Sequence, residues 1–250
     1  MSKWLEGRVL ENRAWTQTLF SLRVALGTSA PKLPFEAGQF VRLALDIGGE
    51  RIARPFSFVN APSDPVLEFY GVIVPEGPLS PGLARLQAGD ALYVADNPSG
   101  FLVLSEVPPA EDLWLLATGT GIAPFLSILR TDAPWQRYRR VILVHAVRRA
   151  NELVYKDVIF ELQAAGKQFG YISFVSREQH PESLAGRIPD AIRDGRLEAA
   201  AGAPIAPERS QFMLCGNPGM LKDAATELAL RGLRKNRRRM PGQITVESFW

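Results

Sequence analysis

The chain has 250 residues, 46% hydrophobic and 22% charged, with a formal net charge of +3; these values predict folded domains with a sizeable core, exclude a disordered chain, and suit two domains better than one. So small a net charge excludes wholesale nucleic-acid affinity, no run reaches the roughly 18 apolar residues of a membrane span, and residues 1–6 show no leader, so a cytoplasmic protein is expected. One cysteine, Cys215, and two histidines, His145 and His180, offer neither a disulfide nor a cysteine-ligated cluster, and no metal site is expected.

Alternating segments at 7–11, 19–26, 39–45, 51–59, 67–74 and 91–94 read as strands, separated by turn chemistry at Gly48-Gly49, Ala61-Pro62-Ser63-Asp64-Pro65 and Ala88-Gly89-Asp90. Their spacing predicts a small antiparallel barrel. A helix over 80–86 interrupts it, with Ser80 as cap and Pro81 just inside its start. In the fourth strand, Arg54-Pro55-Phe56-Ser57 sets an arginine and a serine about an aromatic ring, with Asn60 at the strand end. A guanidinium fork matches a phosphate and a flat ring can lie against a flavin, while the same residues also suit an exposed cation beside a core phenylalanine. Pro55 cannot donate to a ladder, so it favours an edge or a bulge. Gly77-Pro78-Leu79-Ser80 opens the helix as a second phosphate-ready feature, and two such features in one barrel suggest a dinucleotide.

After the joint Val107-Pro108-Pro109 the rhythm changes. Strands at 113–117, 140–146, 171–176 and 211–215 alternate with helices at 124–130, 152–165 and 220–230, and 195–210 reads as a long connection. Continuous apolar strands such as Val141-Ile142-Leu143-Val144 require burial on both faces, so this half reads as an α/β doubly wound parallel sheet. The domain boundary is placed between 1–107 and 108–250. Past the first of these strands, Thr118-Gly119-Thr120-Gly121-Ile122-Ala123-Pro124 is a glycine turn into a proline-started helix, which suits a diphosphate and also suits tight packing. Arg148, Ser176-Arg177 and Cys215-Gly216-Asn217-Pro218 likewise follow strand ends, where ligands of such sheets bind. Cations crowd 231–239, either as a field for an acidic partner or as a solvated helix end near its negative pole.

Arg-x-aromatic-Ser in a barrel, Gly-Thr-Gly-Ile-Ala-Pro opening an α/β half, Cys-Gly-Asn-Pro and the terminal pair Phe249-Trp250 together resemble the bacterial ferredoxin/flavodoxin NADP(+) reductase family, enterobacterial flavodoxin reductase type. The resemblance runs in register from Trp4 through Trp250, including Val59-Asn60-Ala61-Pro62, Glu68-Phe69-Tyr70, Leu79-Ser80-Pro81 and Gly186-Arg187-Ile188-Pro189. It implies an FAD-binding antiparallel β-barrel domain followed by an NADP(H)-binding α/β domain. It also implies hydride transfer between NADP(H) and FAD, and single-electron transfer between FAD and ferredoxin or flavodoxin.

For FAD, the resemblance implies Arg54 toward the diphosphate, Ser57 near flavin N5, and Leu79 and Ser80 at the remaining diphosphate oxygens. Pro55, Phe56, Phe58, Val59 and Asn60 join them from the motif strand, Phe69, Val72, Ile73 and Val74 from the next, and Gly77 and Thr120 from the turns. For NADP(H) it implies Thr118, Gly119, Thr120 and Gly121 at the diphosphate, Arg148, Ser176, Arg177 and Arg187 about the 2′-phosphate, and Cys215, Gly216, Asn217 and Pro218 by the nicotinamide. Ser57, Cys215, Glu247 and Phe249 would serve catalysis, Cys215 by positioning and Glu247 as a carboxylate near the nicotinamide. Phe249 would cover the isoalloxazine and Trp250 would stack on adenine; a hydrophobic tail tucked into a core groove is the other reading of that pair. Phe56 and Phe249 stand where relatives carry tyrosine, which removes two phenolic hydrogen bonds and implies looser FAD. A monomer is expected. The reductase component of an oxygenase and a non-catalytic FAD redox sensor remain open on sequence; no fused cluster domain is visible.

Overall fold

The computed structural model describes residues 3–27, 33–166 and 168–248. Alternation in the first strand, with Leu5, Gly7 and Val9 buried and the residues between them exposed, gives one face to a core and one to water. That strand, β1 (Trp4–Ala14), joins β2 (Leu19–Leu26), β3 (Phe40–Ile47), β4 (Glu50–Ser57), β5 (Leu67–Val72) and, after helix α1 (Ser80–Arg85), β6 (Ala91–Ala95). The six form one antiparallel sheet in the order β4-β3-β6-β1-β2-β5. Its two outer strands meet just past β4, where Phe58 bridges Phe69 and Val59 N–H donates to Glu68 O at 2.9 Å, curling the sheet toward a barrel. Phe58 stacks on Phe35 at 3.9 Å and tilts against Phe69 at 5.4 Å in the interior. Pro55 lies on outer strand β4, where a missing donor costs least.

Parallel pairing builds the second sheet. β7 (Asp112–Thr118) runs through a 3-10 turn over Gly119–Ile122 into α2 (Ala123–Leu129). Then follow α3 (Ala133–Arg137), β8 (Arg140–Val147), α4 (Lys156–Ala164), β9 (Phe169–Val175), β10 (Leu184–Ala185), α5 (Ile188–Arg193), α6 (Arg196–Ala201), β11 (Ser210–Gly216), α7 (Pro218–Leu230) and β12 (Ile244–Ser248). The order β10-β9-β8-β7-β11-β12 reverses between β7 and β11, which makes that pair the switch point of a doubly wound sheet. Leu116, Val144, Phe174 and Leu214 face Ile188, Ile192, Leu221 and Leu228 of α5 and α7, while the alternate residues Leu115, Leu143 and Met213 are equally buried. Burial on both faces explains the unbroken apolar strands.

The described chain divides into two compact units, one within Met1–Val103 with Ala123–Thr131, the other within Leu104–Ile122 with Asp132–Trp250. A boundary drawn along the chain at 107/108 assigns α2 to the second half, whereas its contacts belong to the first unit. Ser127 Oγ donates to Asn60 O at 2.7 Å, and the Arg130 guanidinium donates to Glu68 Oε2 at 2.8 Å and to Val59 O at 3.2 Å.

Several expectations are corrected. Leu79, not Ser80, is the residue before the first turn of α1, and Ser80 Oγ instead accepts from Val74 N–H at 2.9 Å. The helix expected over 152–165 begins at Lys156, after Tyr155 takes a left-handed φ of 58°. The connection over 195–210 contains α6, and α3, α5, β10 and β12 were not expected at all. Of the cations of 231–239, Arg231 caps the carboxyl end of α7, as the helix-end reading expects, and the others lie beyond it. α7 stops at Leu230, and Arg237 and Met240 then exchange backbone hydrogen bonds in a tight turn.

Candidate functional site

In the barrel unit, Arg54 lies exposed on β4, one guanidinium nitrogen donating to its neighbour's carbonyl, Ala53 O, at 2.7 Å. Phe56 is half-buried against Gly71 of β5: a Cβ there would stand 2.8 Å from Phe56 Cε1 and 2.9 Å from Phe20 Cζ. Ser57 is 5% exposed and its Oγ has no partner. A buried hydroxyl left without a partner costs free energy in the free protein and is ready to bond a ligand atom. Asn60 is buried and fully used by the chain. Its Oδ1 accepts from Glu68 N–H at 2.8 Å, and its Nδ2 donates to Ala61 O at 2.9 Å.

The other expected flavin residues divide by burial. Phe58, Val59, Phe69 and Leu79 are core side chains. Val59 uses both its N–H and its C=O internally. Val72 and Ile73 are half-buried and Val74 is exposed, and the turn after them closes through Gly77 N–H to Val74 O at 2.8 Å. One free buried hydroxyl, an aromatic face and an exposed guanidinium on a single strand fit a flavin nucleotide.

In the parallel-sheet unit, the expected motifs meet at the carboxyl ends of β7 and β11. A Cβ on Gly121 would stand 2.6 Å from Cys215 O, and one on Gly216 would stand 2.2 Å from Thr118 Oγ1. These two glycines let the turn and the neighbouring strand end pack backbone to backbone. Gly119 differs: its φ is +52° and a Cβ would meet nothing within 4 Å, so it leaves the turn open on the side a ligand would occupy. Thr118 Oγ1 accepts from Asn217 N–H at 2.7 Å, and Asn217 Oδ1 accepts from Gly219 and Met220 N–H at 2.9 and 3.2 Å, capping α7 behind Pro218.

Register aligns a row of side chains across five strands: Ser173, His145, Ala117, Cys215 and Glu247. Cys215 is fully buried; burial, and then the Glu247 carboxylate, push its thiol well above the usual range, so it stays protonated and packs. Glu247 is half-buried on edge strand β12. Phe249 and Trp250 lie outside the described residues.

Three cations gather past β8, β9 and β10. Arg177 N–H donates to Arg148 O at 2.9 Å, tying two loops together, and Ser176 N–H and Oγ both donate to Val147 O, at 3.1 and 3.2 Å. Ala185 pairs with Val175 in parallel, so Arg187 and Arg177 each lie two residues beyond paired positions. All three arginine side chains are exposed, and none makes an ion pair among the described residues. Such a group fits a phosphate dianion. His145, for which the sequence offers no metal partner, is fully buried with Nε2 3.0 Å from Gly119 O. A lone histidine in the apolar run of β8 was the available signal. Among the described residues, no group of three or more His, Cys, Asp or Glu could hold a metal ion, and no helix is long and apolar enough to cross a membrane.

A barrel with an aromatic-serine strand, and a doubly wound sheet with a glycine turn at its switch point, define a two-domain oxidoreductase. The family described as oxidoreductase NAD-binding domain matches residues 115–226. The chain is 47% identical to the flavodoxin/ferredoxin–NADP reductase of Shigella flexneri and 46% identical to that of Escherichia coli K12, each over the full length of both chains. A crystal structure of a ferredoxin NADP+ reductase from Neisseria gonorrhoeae with bound FAD and NADP superposes with a TM-score of 0.94 at 34% identity, covering both chains completely. The chain belongs to the flavodoxin/ferredoxin–NADP reductase family.

Proposed function

We propose that the protein binds FAD on its barrel unit and NADP(H) on its parallel-sheet unit, and exchanges electrons between NADP(H) and a ferredoxin or flavodoxin in the cytoplasm. FAD, when bound, supplies the conversion between a two-electron hydride and single electrons. The chain supplies binding and orientation. Arg54 offers its fork to the diphosphate, Phe56 a flat face to the flavin, and Ser57 Oγ the hydrogen bond that the free protein leaves unmade. Gly119 and Thr120 bound the nucleotide turn. Cys215, held neutral, serves as an inert wall beside the half-buried Glu247. Leu79, Ser80 and Gly77 shape the turn that follows the flavin strands, while Phe58, Val59, Asn60 and Phe69 hold those strands in place.

The observation that carries the choice of NADP(H) is the grouping of Arg148, Arg177 and Arg187 with Ser176 past three adjacent parallel strands. Three exposed guanidinium groups suit a 2′-phosphate that NADH lacks. An absorption spectrum of the purified protein reads flavin directly, and steady-state reduction of a dye separates an enzyme from a sensor. Replacing Arg177 and Arg187 by Ala is expected to raise KM for NADPH roughly 100-fold, as lost charge-assisted hydrogen bonds should, and to leave KM for NADH within about 2-fold. Equal losses with both nucleotides would remove the 2′-phosphate assignment.

A further inference from the structure

Gly121 and Gly119 are held by different means. Gly121 is braced by the backbone of Cys215 and Gly216, whereas Gly119 sits in the left-handed region with open space where a side chain would be. What reaches the Gly119 peptide from the sheet is His145, on the neighbouring strand β8, with Nε2 3.0 Å from Gly119 O. A carbonyl only accepts, so Nε2 carries the proton and Nδ1 is left with a bare lone pair. That Nδ1 is buried and unpartnered, a cost an apolar residue in the same strand would avoid. Burial also lowers the ring's pKa to about 4, which keeps it neutral in this role.

A trans peptide plane sets its C=O and the next N–H in opposite directions. Holding the Gly119 carbonyl inward on the sheet therefore turns the Thr120 N–H outward. We propose that His145 is a positioning residue of the nucleotide turn: its Nε2–H anchors the Gly119 carbonyl and so aims the Thr120 N–H at the bound nucleotide. The inference rests on the nucleotide reading of the turn given above. His145 touches no ligand itself; it acts through one peptide group.

The test compares three substitutions in the FAD-loaded protein. In His145→Gln the amide nitrogen stands as many bonds from Cα as Nε2, so the donor to Gly119 O is retained; His145→Asn places its nitrogen at the Nδ1 position, and His145→Leu has no donor. NADP+ affinity is measured by calorimetry, and hydrogen exchange is followed at the 119–121 amides. Leu and Asn are expected to weaken NADP+ roughly 10-fold and to speed Thr120 exchange by about as much, whereas Gln restores both to within about 2-fold of the parent. An Arg177→Ala control is expected to weaken NADP+ with turn exchange unchanged.

If the parent binds NADP+ and all three His145 variants match it in affinity and exchange, the assignment is wrong. Equal loss in Gln, Asn and Leu would likewise overturn it, since bulk packing would then suffice. A parent protein that ignores NADP+ overturns the nucleotide reading itself, and this assignment with it. Should the variants not fold, nitrogen-15 spectra of the parent decide: a neutral ring protonated at Nε2 supports the anchor, and protonation at Nδ1 overturns it.

Discussion

Ser57 combines two properties that a purely structural serine would not need: near-complete burial and a hydroxyl without a partner. Removing an unsatisfied buried hydroxyl costs the free protein nothing in hydrogen bonding. Ser57→Ala should therefore leave the melting temperature of the apoprotein unchanged or slightly raised, while NADPH-dependent turnover falls roughly 10-fold or more through the loss of a preorganised hydrogen bond. Parallel loss of stability and activity would make Ser57 a packing residue. His145 carries a pH signature at the same scale. Burial lowers its pKa from 6.5 to about 4, opposed by the Gly119 carbonyl, and its strand neighbours Ala117 and Ser173 bear no charge. Between those values the unfolded chain binds a proton that the folded chain does not, so stability is complete above pH 6.5, falls as pH drops toward 4, and levels below that. The contribution at stake is about 3 kcal/mol. Urea midpoints measured across this window should decline in the parent, and the decline should be smaller by that amount in His145→Gln.

At the scale of elements, the glycine turn separates by substitution into a packing part and an open part. Gly121→Ala drives a Cβ to 2.6 Å from the Cys215 carbonyl oxygen, a backbone atom that cannot step aside. Overpacking of this kind costs about 1–3 kcal/mol and should displace the turn from β11. Gly119→Ala meets nothing within 4 Å and bears only the left-handed penalty at φ +52°, about 1–2 kcal/mol. Urea unfolding should rank Gly121→Ala as the more damaging; the reverse order would mean the turn is not braced by β11. This division explains how far the sequence could be read. Strands β7, β8 and β11 were legible because burial on both faces makes them continuous apolar runs, and the motifs past their ends followed from chain order. Edge strand β12 was not, because Thr245, Glu247 and Ser248 make three of its five residues polar, a pattern that reads as a tail. Short helices α3 and α5 hide behind Pro134 and Pro189, which sit in their first turns where proline is tolerated but reads as a breaker. α6 lies between Gly195 and Gly202, both left-handed, and its six Ala-rich residues, fewer than two turns, are too short to show a period. The packing role of Gly121 and Gly216 depends on β7 and β11, whose paired residues such as Ala117 and Cys215 are distant in the sequence, being adjacent in the sheet, which local pattern does not report.

Across the whole molecule the net charge is only +3, so any steering of a protein partner must come from where charges are spent. Within 231–239 the structure spends some of them internally. Arg231 bonds Glu198 and Ile192 O, and Arg238 pairs with Glu106 at 3.0 Å. Arg234, Lys235, Arg237 and Arg239 are exposed, and none makes an ion pair among the described residues. The turn between Arg237 and Met240 holds two of them on a backbone fixed by reciprocal hydrogen bonds of 3.1 and 2.9 Å. A field from exposed charges acts on encounter rate and is screened over about 10 Å at 0.1 M salt and about 3 Å at 1 M. Arg237→Glu combined with Arg239→Glu should therefore lower kcat/KM for an acidic ferredoxin or flavodoxin by roughly 10-fold at low salt, and the gap should close as salt approaches 1 M. Reduction of a small neutral dye by NADPH should be the same in variant and parent at every salt concentration. A carrier rate that ignores both the charge reversal and ionic strength would show that this segment is a solvated surface with no part in docking. A dye rate that falls with the carrier rate would instead place the defect in folding or nucleotide binding.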